Sequence, residues 1–272
     1  MNDLIIITSL LYILSAAGYI LFLFLQKQYF HRLGHIFLAI GFFCNSILIG
    51  YHYAKTGQLP VRNLHETLLI TGWAIAGVYF AFHYKFKIKI LGGYAAFLAA
   101  LSLVAAMLAS GKYVESQPIF NSIWLIMHVV SIFIGHSAFA LACGLGLLYI
   151  AQENAIKKKK HGFFYKRLPS LNLLDSIGYA CIIAGFTLLT AGLITGFAYA
   201  KVVWGKFWSW DPKEVWAGIT WLLYAALLHG RLTIGWRGRK AAIMAIIGFV
   251  VVLFTFFGVN FLLKGHHVVF TR

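Results

Sequence analysis

The sequence predicts an all-α, polytopic integral membrane protein with about eight transmembrane helices and both termini outside. Three observations predict it. Of the 272 residues, 61% are hydrophobic and only 11% are charged, with a mean hydropathy of +0.82. A soluble domain of this length must present a charged exterior to water. The apolar residues also fall into separate runs of ~20, the length that crosses a hydrocarbon core. Finally, the 23 Lys and Arg lie between those runs and favour alternate loops fifteen to eight, the asymmetry that marks cytoplasmic loops.

The first run, 4–25, carries no charge. It reads as a retained span rather than a removable signal peptide. No basic n-region follows Met1, the run exceeds a typical h-region, and no A-x-A-like site comes after it. Runs at 33–53, 66–84 and 88–108 follow, the last two parted only by the Lys85–Lys89 segment. The others are 122–150, 176–199, 213–230 and 240–262. Lys27, Arg32, Lys85, Lys87, Lys89, Lys157 to Lys160, Lys166, Arg167, Arg231, Arg237, Arg239 and Lys240 form the richer set of loops. Placing them in the cytoplasm leaves both ends of an eight-span chain outside. One transmembrane domain over 1–272 is expected, with an outer tryptophan-rich segment at 201–216 and no clear internal repeat.

The formal charge of +16 would suit nucleic acid if it formed one patch. Here it is dispersed between spans, so the lipid bilayer is the expected partner and nucleic acid is not. The Lys157–Lys160 run reads as a solvated loop near anionic headgroups. Cys44, Cys143 and Cys181 each lie inside an apolar run without CxxC spacing. They read as small packing residues, which argues against thiol redox chemistry.

The informative stretch is 204–216, which holds Trp204, Trp208, Trp210 and Trp216, four of the eight tryptophans. Asp211 sits where an N-cap belongs, Pro212 at the first helical position and Glu214 three residues after the cap, a capping-box arrangement. Tryptophan is enriched at membrane interfaces. Four so close together can equally build a flat apolar platform for a large planar ring, and on spacing alone both readings stand.

Eleven histidines are present, and imidazole is a common axial ligand of haem iron. His128 lies ~9 Å into the fifth span from its outer end, and His266 and His267 follow the eighth. These can converge at the tryptophan segment. His229 lies ~26 Å along the seventh span from Pro212, near the cytoplasmic edge. His136 is ~12 Å deeper than His128 and ~80° round the helix. Intramembrane ionisable residues are functional candidates by default, so His136 and, at the outer end of the third span, His65 are weighed as ligands against hydrogen-bonded core histidines.

Trp204-Gly205-Lys206-Phe207-Trp208-Ser209-Trp210-Asp211-Pro212-Lys213-Glu214 resembles the "WWD" signature of haem-handling cytochrome c assembly proteins. The stretches Thr220–Tyr224, Leu228–Arg231, Gly258–Leu263 with Gly265-His266-His267, and Asn63–Leu68 resemble the CcsA (ResC-like) branch. The resemblance implies a membrane subunit that binds haem b as substrate and presents it on the outer face. There it is joined to the two thiols of an apocytochrome c CxxCH motif, as part of a cytochrome c haem lyase with a CcsB (ResB-like) partner. It further implies that His128 and His267 are outer axial ligands and that His229 is the ligand of an inner site completed by the partner. Trp204, Trp208, Trp210 and Asp211 match the haem-embracing segment. The Gly spacing favours His267 over His266, which stays the alternative. Position 136 is commonly aromatic in the family, so His136 departs from it.

No nucleophile or acid–base pair stands out, so no catalytic residue is assigned and orientation carries the chemistry. A bacterial plasma membrane is the expected location, with a plastid membrane as the alternative, and the haem-presenting face is expected outside. The rival reading is a HemX-type membrane regulator of haem biosynthesis. A solute transporter fits less well, because transporters place ionisable residues near the midplane of related repeats.

Overall fold

The computed structural model describes residues 2–109, 122–159, 162, 165 and 167–262. Among these residues there are eight long helices: α1 (Asn2–Leu25), α2 (Gln28–Thr56), α3 (Leu64–Phe86), α4 (Leu91–Leu108), α5 (Ile123–Lys157), α6 (Leu171–Trp204), α7 (Pro212–Thr233) and α8 (Arg239–Leu253). The α8 helix runs on through a π-helical turn, Phe254–Gly258, into Val259–Leu262. No strand occurs among the described residues. Each expected span coincides with one helix. Seven are long and apolar enough to cross a membrane, and α7 falls short of that mark. Two helices extend past the expected spans: α5 continues to Lys157 and α6 starts at Leu171, capped by Ser170.

The described residues fall into two compact units, divided between Ile126 and Met127. In the first, α1 packs on α2 and α4, and α3 on α4. Lipid gives no hydrophobic drive for helix pairing, so close approach comes from small residues and interhelical hydrogen bonds. The α1–α2 crossing shows both devices. A β-carbon on Gly18 would stand 2.9 Å from the Gly34 backbone, and Ser15 Oγ donates to the Gly34 carbonyl at 2.7 Å. Asn45 Nδ2, buried on α2, donates to the Leu69 carbonyl of α3 at 3.2 Å. Alanines 95, 96, 99, 100 and 106 bury one face of α4.

In the second unit, α5 meets α6 over glycines. A β-carbon on Gly135 would lie 3.1 Å from the Gly185 carbonyl, and one on Gly192 would lie 2.7 Å from Ile132 Cδ1. Phe139 of α5 stacks on Tyr224 of α7 at 3.6 Å and 6°. Trp221 Nε1 on α7 donates to Thr190 Oγ1 on α6 at 2.9 Å. Thr220 and Thr255 hydroxyls meet at 3.2 Å between α7 and the π turn.

Gly18→Val forces the α1–α2 crossing apart and is expected to destabilise the protein by about 1–3 kcal/mol. Gly50→Val, on the same pair of helices but with nothing within 4 Å, is expected to change stability by about 0.5 kcal/mol or less. Denaturation in detergent micelles compares the two, and equal losses would remove the role given to the crossing.

Candidate functional site

The tryptophan segment of the second unit is shaped by how α6 ends and α7 begins. Gly205 caps α6 in the left-handed region at φ 71°, its amide bonded to the Lys201 carbonyl. Lys201 Nζ then donates to the Gly205 carbonyl at 2.9 Å. At the start of α7 the expected capping box is present. Asp211, only 4% exposed, accepts from the Lys213 amide at 2.9 Å. Glu214 does more than a capping box requires. Its carboxylate accepts from the Ser209 amide at 2.8 Å, the Ser209 hydroxyl at 3.0 Å and the Asp211 amide at 3.3 Å. Those bonds hold the chain on both sides of Trp210, a non-glycine residue at φ 59°. The left-handed backbone costs roughly 1–2 kcal/mol, and it turns the Trp210 indole outward, 77% exposed.

The indoles do not form one flat shelf. Trp208 and Trp210 meet edge to face, 5.7 Å apart at 90°. Trp208 sets its other side against Phe197 of α6 at 5.7 Å. Trp204, the last residue of α6, lies edge-on to Tyr199, and Trp216 packs against Phe254 of the π turn at 4.4 Å. The segment is an angled aromatic wall because capping and the left-handed turn, not stacking, set its backbone. Within the wall the Trp208 Nε1–H is buried without a hydrogen-bond partner.

His128 of α5 is half-buried and seated on α6. Its Nδ1 donates to the Gly192 carbonyl at 2.7 Å. A β-carbon on Gly196 would stand 2.6 Å from that same Nδ1, so the imidazole occupies space that only glycine leaves. A carbonyl can only accept, which puts the proton on Nδ1 and the lone pair of the neutral ring on Nε2. This is how metal-ligating imidazoles are oriented. The buried, unpartnered indole N–H is a donor that an acceptor such as a carboxylate would satisfy, so the two side chains offer a metal-coordinating nitrogen and a hydrogen-bond donor.

His266 and His267 lie outside the described residues, and their convergence with His128 stays an expectation. His229 is exposed on α7, at the end away from the tryptophans. His136 is half-buried one helical stretch beyond His128. His65, in the first unit, donates Nδ1 to the Ala106 carbonyl at 2.7 Å, which gives its ring the same tautomer as His128.

Several features escaped the sequence reading. Glu66 is clamped by Arg62 at 2.9 Å and by His52 at 3.2 Å. Arg62 and Glu66 are 3% and 6% exposed. At the other end of the first unit, His35 and His83 rings lie 5.0 Å apart, and a chain runs from His35 through Tyr19 and Tyr79 to His83. Among the described residues no group of three or more His, Cys, Asp or Glu is arranged to hold a metal ion. A His pair one turn apart on α2, His31 and His35, was the signal available for that cluster.

Glu214→Ala releases Ser209 and Asp211 together. It is expected to cost about 1–2 kcal/mol in the local fold and to speed trypsin cleavage after exposed Lys206 by roughly 10-fold. An unchanged cleavage rate would show that Glu214 is not the clamp.

The family model described as "Cytochrome C assembly protein" matches residues 61–267. "Cytochrome c biogenesis protein CcsA" of Guillardia theta is 32% identical, covering 98% of this chain and 94% of its own. The protein of the same name from Gloeothece citriformis is 32% identical over 96% of this chain and 92% of its own. That of Chlamydomonas reinhardtii is 36% identical over 81% of this chain. Among solved structures, "Cytochrome c Heme Lyase CcmF" shares the fold with a TM-score of 0.62 at 16% identity, covering 98% of this chain and 47% of its own.

Proposed function

The chain belongs to the family of cytochrome c assembly proteins, and from that premise we propose that it binds haem b as substrate and presents it on the outer face for attachment to apocytochrome c. The observation that carries the reading is the seat of His128, whose Nδ1 is held by the Gly192 carbonyl at 2.7 Å so that Nε2 is the donor atom. His267, with His266 as alternative, supplies the opposite outer ligand. His229 serves an inner site completed by a CcsB/ResB-like partner subunit. The membrane is a bacterial plasma membrane, with both termini and the tryptophan wall outside.

Attachment adds each cysteine S–H across a vinyl double bond, so it needs no leaving group. The demand on the protein is orientation, which converts an encounter between chains into a positioned one. His128 holds the iron at a fixed depth. The crossed indoles of Trp208 and Trp210 bound one side, and the Trp208 N–H offers a donor to an acidic side group. Glu214 and Asp211 keep that wall rigid by fixing its backbone at both ends. Trp204 anchors its start on α6.

Co-expressed with its partner, the purified chain is expected to show a bis-histidine Soret band with sharp α and β bands. His128→Ala is expected to lose the outer-site component, and added imidazole to restore it. Gly196→Val, which drives a side chain into the His128 ring, is expected to act like His128→Ala, while His136→Phe keeps the full spectrum. A spectrum indifferent to His128→Ala would end the proposal.

A further inference from the structure

The inner end of α7 is tied down by a knot that the haem reading does not use. Arg231 reaches across to α6 and grips Asp175 with both arms, Nη1 to Oδ1 at 3.0 Å and Nη2 to Oδ2 at 2.7 Å. Both side chains are nearly buried, 10% and 12% exposed. Asp175 Oδ1 accepts a third bond, from the Gly238 amide of the α7–α8 turn at 2.9 Å. One turn along α6, the Tyr179 ring lies 4.2 Å from the Arg231 guanidinium carbon. Gly230 is covered by Trp236, whose Cε3 would stand 2.7 Å from a β-carbon there. Gly238, at φ 67°, comes so near Tyr149 of α5 that an added β-carbon would meet its hydroxyl at 2.7 Å.

The knot fixes a rotation. Side chains advance about 100° per residue round a helix. With Arg231 pulled into α6 and Gly230 pressed under Trp236, position 229 is left on the opposite face. His229 is indeed exposed, and so are Leu222, Ala226 and Leu232 on its side of α7. A bidentate guanidinium–carboxylate pair has one good geometry, unlike a lysine's point charge. It therefore sets the helix angle as well as holding two helices together. Breaking a buried pair leaves an uncompensated charge and is strongly unfavourable, so α7 does not turn freely about its axis.

We propose that Asp175 and Arg231 are positioning residues for His229: the ion pair sets the rotation of α7 so that the imidazole is offered away from α5, α6 and α8. The inference rests on the reading of His229 as an iron ligand, and the test separates the two. In a variant with Cys44, Cys143 and Cys181 replaced, a nitroxide at position 229 reports exposure to lipid-dissolved oxygen without any haem. Asp175→Ala is expected to bury or reorient the label and lower oxygen accessibility. In the unlabelled chain with its partner, Asp175→Ala is expected to weaken retention of the His229-dependent haem signal about 10-fold and leave the His128-dependent signal intact. Arg231→Lys, which keeps the charge and loses the fork, stands in if Asp175→Ala does not accumulate folded, with the same direction expected. The swap Asp175→Arg with Arg231→Asp is expected to restore both readouts. Unchanged label accessibility and unchanged signal in the single variants, or a swap that restores neither, overturns the positioning role. A haem signal indifferent to His229→Ala overturns the ligand reading instead, whatever the label reports.

Discussion

The seat of His128 depends on two positions of α6 that carry no β-carbon, and the proposed function rests on that seat. Gly192 brings its carbonyl within 2.7 Å of Nδ1, and Gly196 leaves the space that the ring fills. A backbone carbonyl inside a helix is already engaged, and it takes a second bond only where a side chain can come very close. The α5–α6 contact supplies that closeness at Gly135, Gly185 and Gly192. Lipid offers no gain for burying apolar surface between helices. Gly192 thus serves both ends, lying in the close α5–α6 contact and supplying the carbonyl that orients the imidazole.

The α7 helix shows the complementary strategy. Among the described helices it is the long one that falls short on apolarity, and charged residues stand at its two ends. Asp211 and Glu214 satisfy the orphan amides of its first turn and hold the tryptophan wall. Arg231 closes its last turn against Asp175. Between them lie Tyr224, stacked on Phe139, and Thr220, bonded to Thr255. A helix fixed by polar contacts at both ends can present different side chains at each, outward past the wall and sideways at His229, without losing register.

The helices, the N-cap at Asp211 and its partner Glu214 were legible in the sequence because each has a local signal: run length, spacing and cap chemistry. The π turn was not, since Phe254–Gly258 is as apolar as any α-helical stretch and the extra residue per turn leaves no pattern. Nor were the glycine seats, because a glycine in a span says only that something approaches closely. The division into two units left no trace in composition, as lipid-facing surface and unit interior are built from the same residues. The crossed indoles also went unread. Spacing places four tryptophans together, but the left-handed backbone at Trp210 decides their planes. The His35–Tyr19–Tyr79–His83 chain needs three helices at once, which no one-dimensional period encodes.

His128 and His229 belong to the same compact unit and face it in opposite senses. The first ring is turned onto α6 and bonded to it. The second stands on the exposed side of α7 while Arg231, two residues on, is drawn inward. Under the proposed function this difference has a chemical consequence. An imidazole locked by its own unit suits a site that one chain completes, with the second ligand drawn from that chain's terminal histidines. An imidazole held outward suits a site that stays half-built until another chain arrives. The inner site would then form only in the assembled complex, whereas the depth and tautomer of the outer ligand are set by a contact the chain makes with itself.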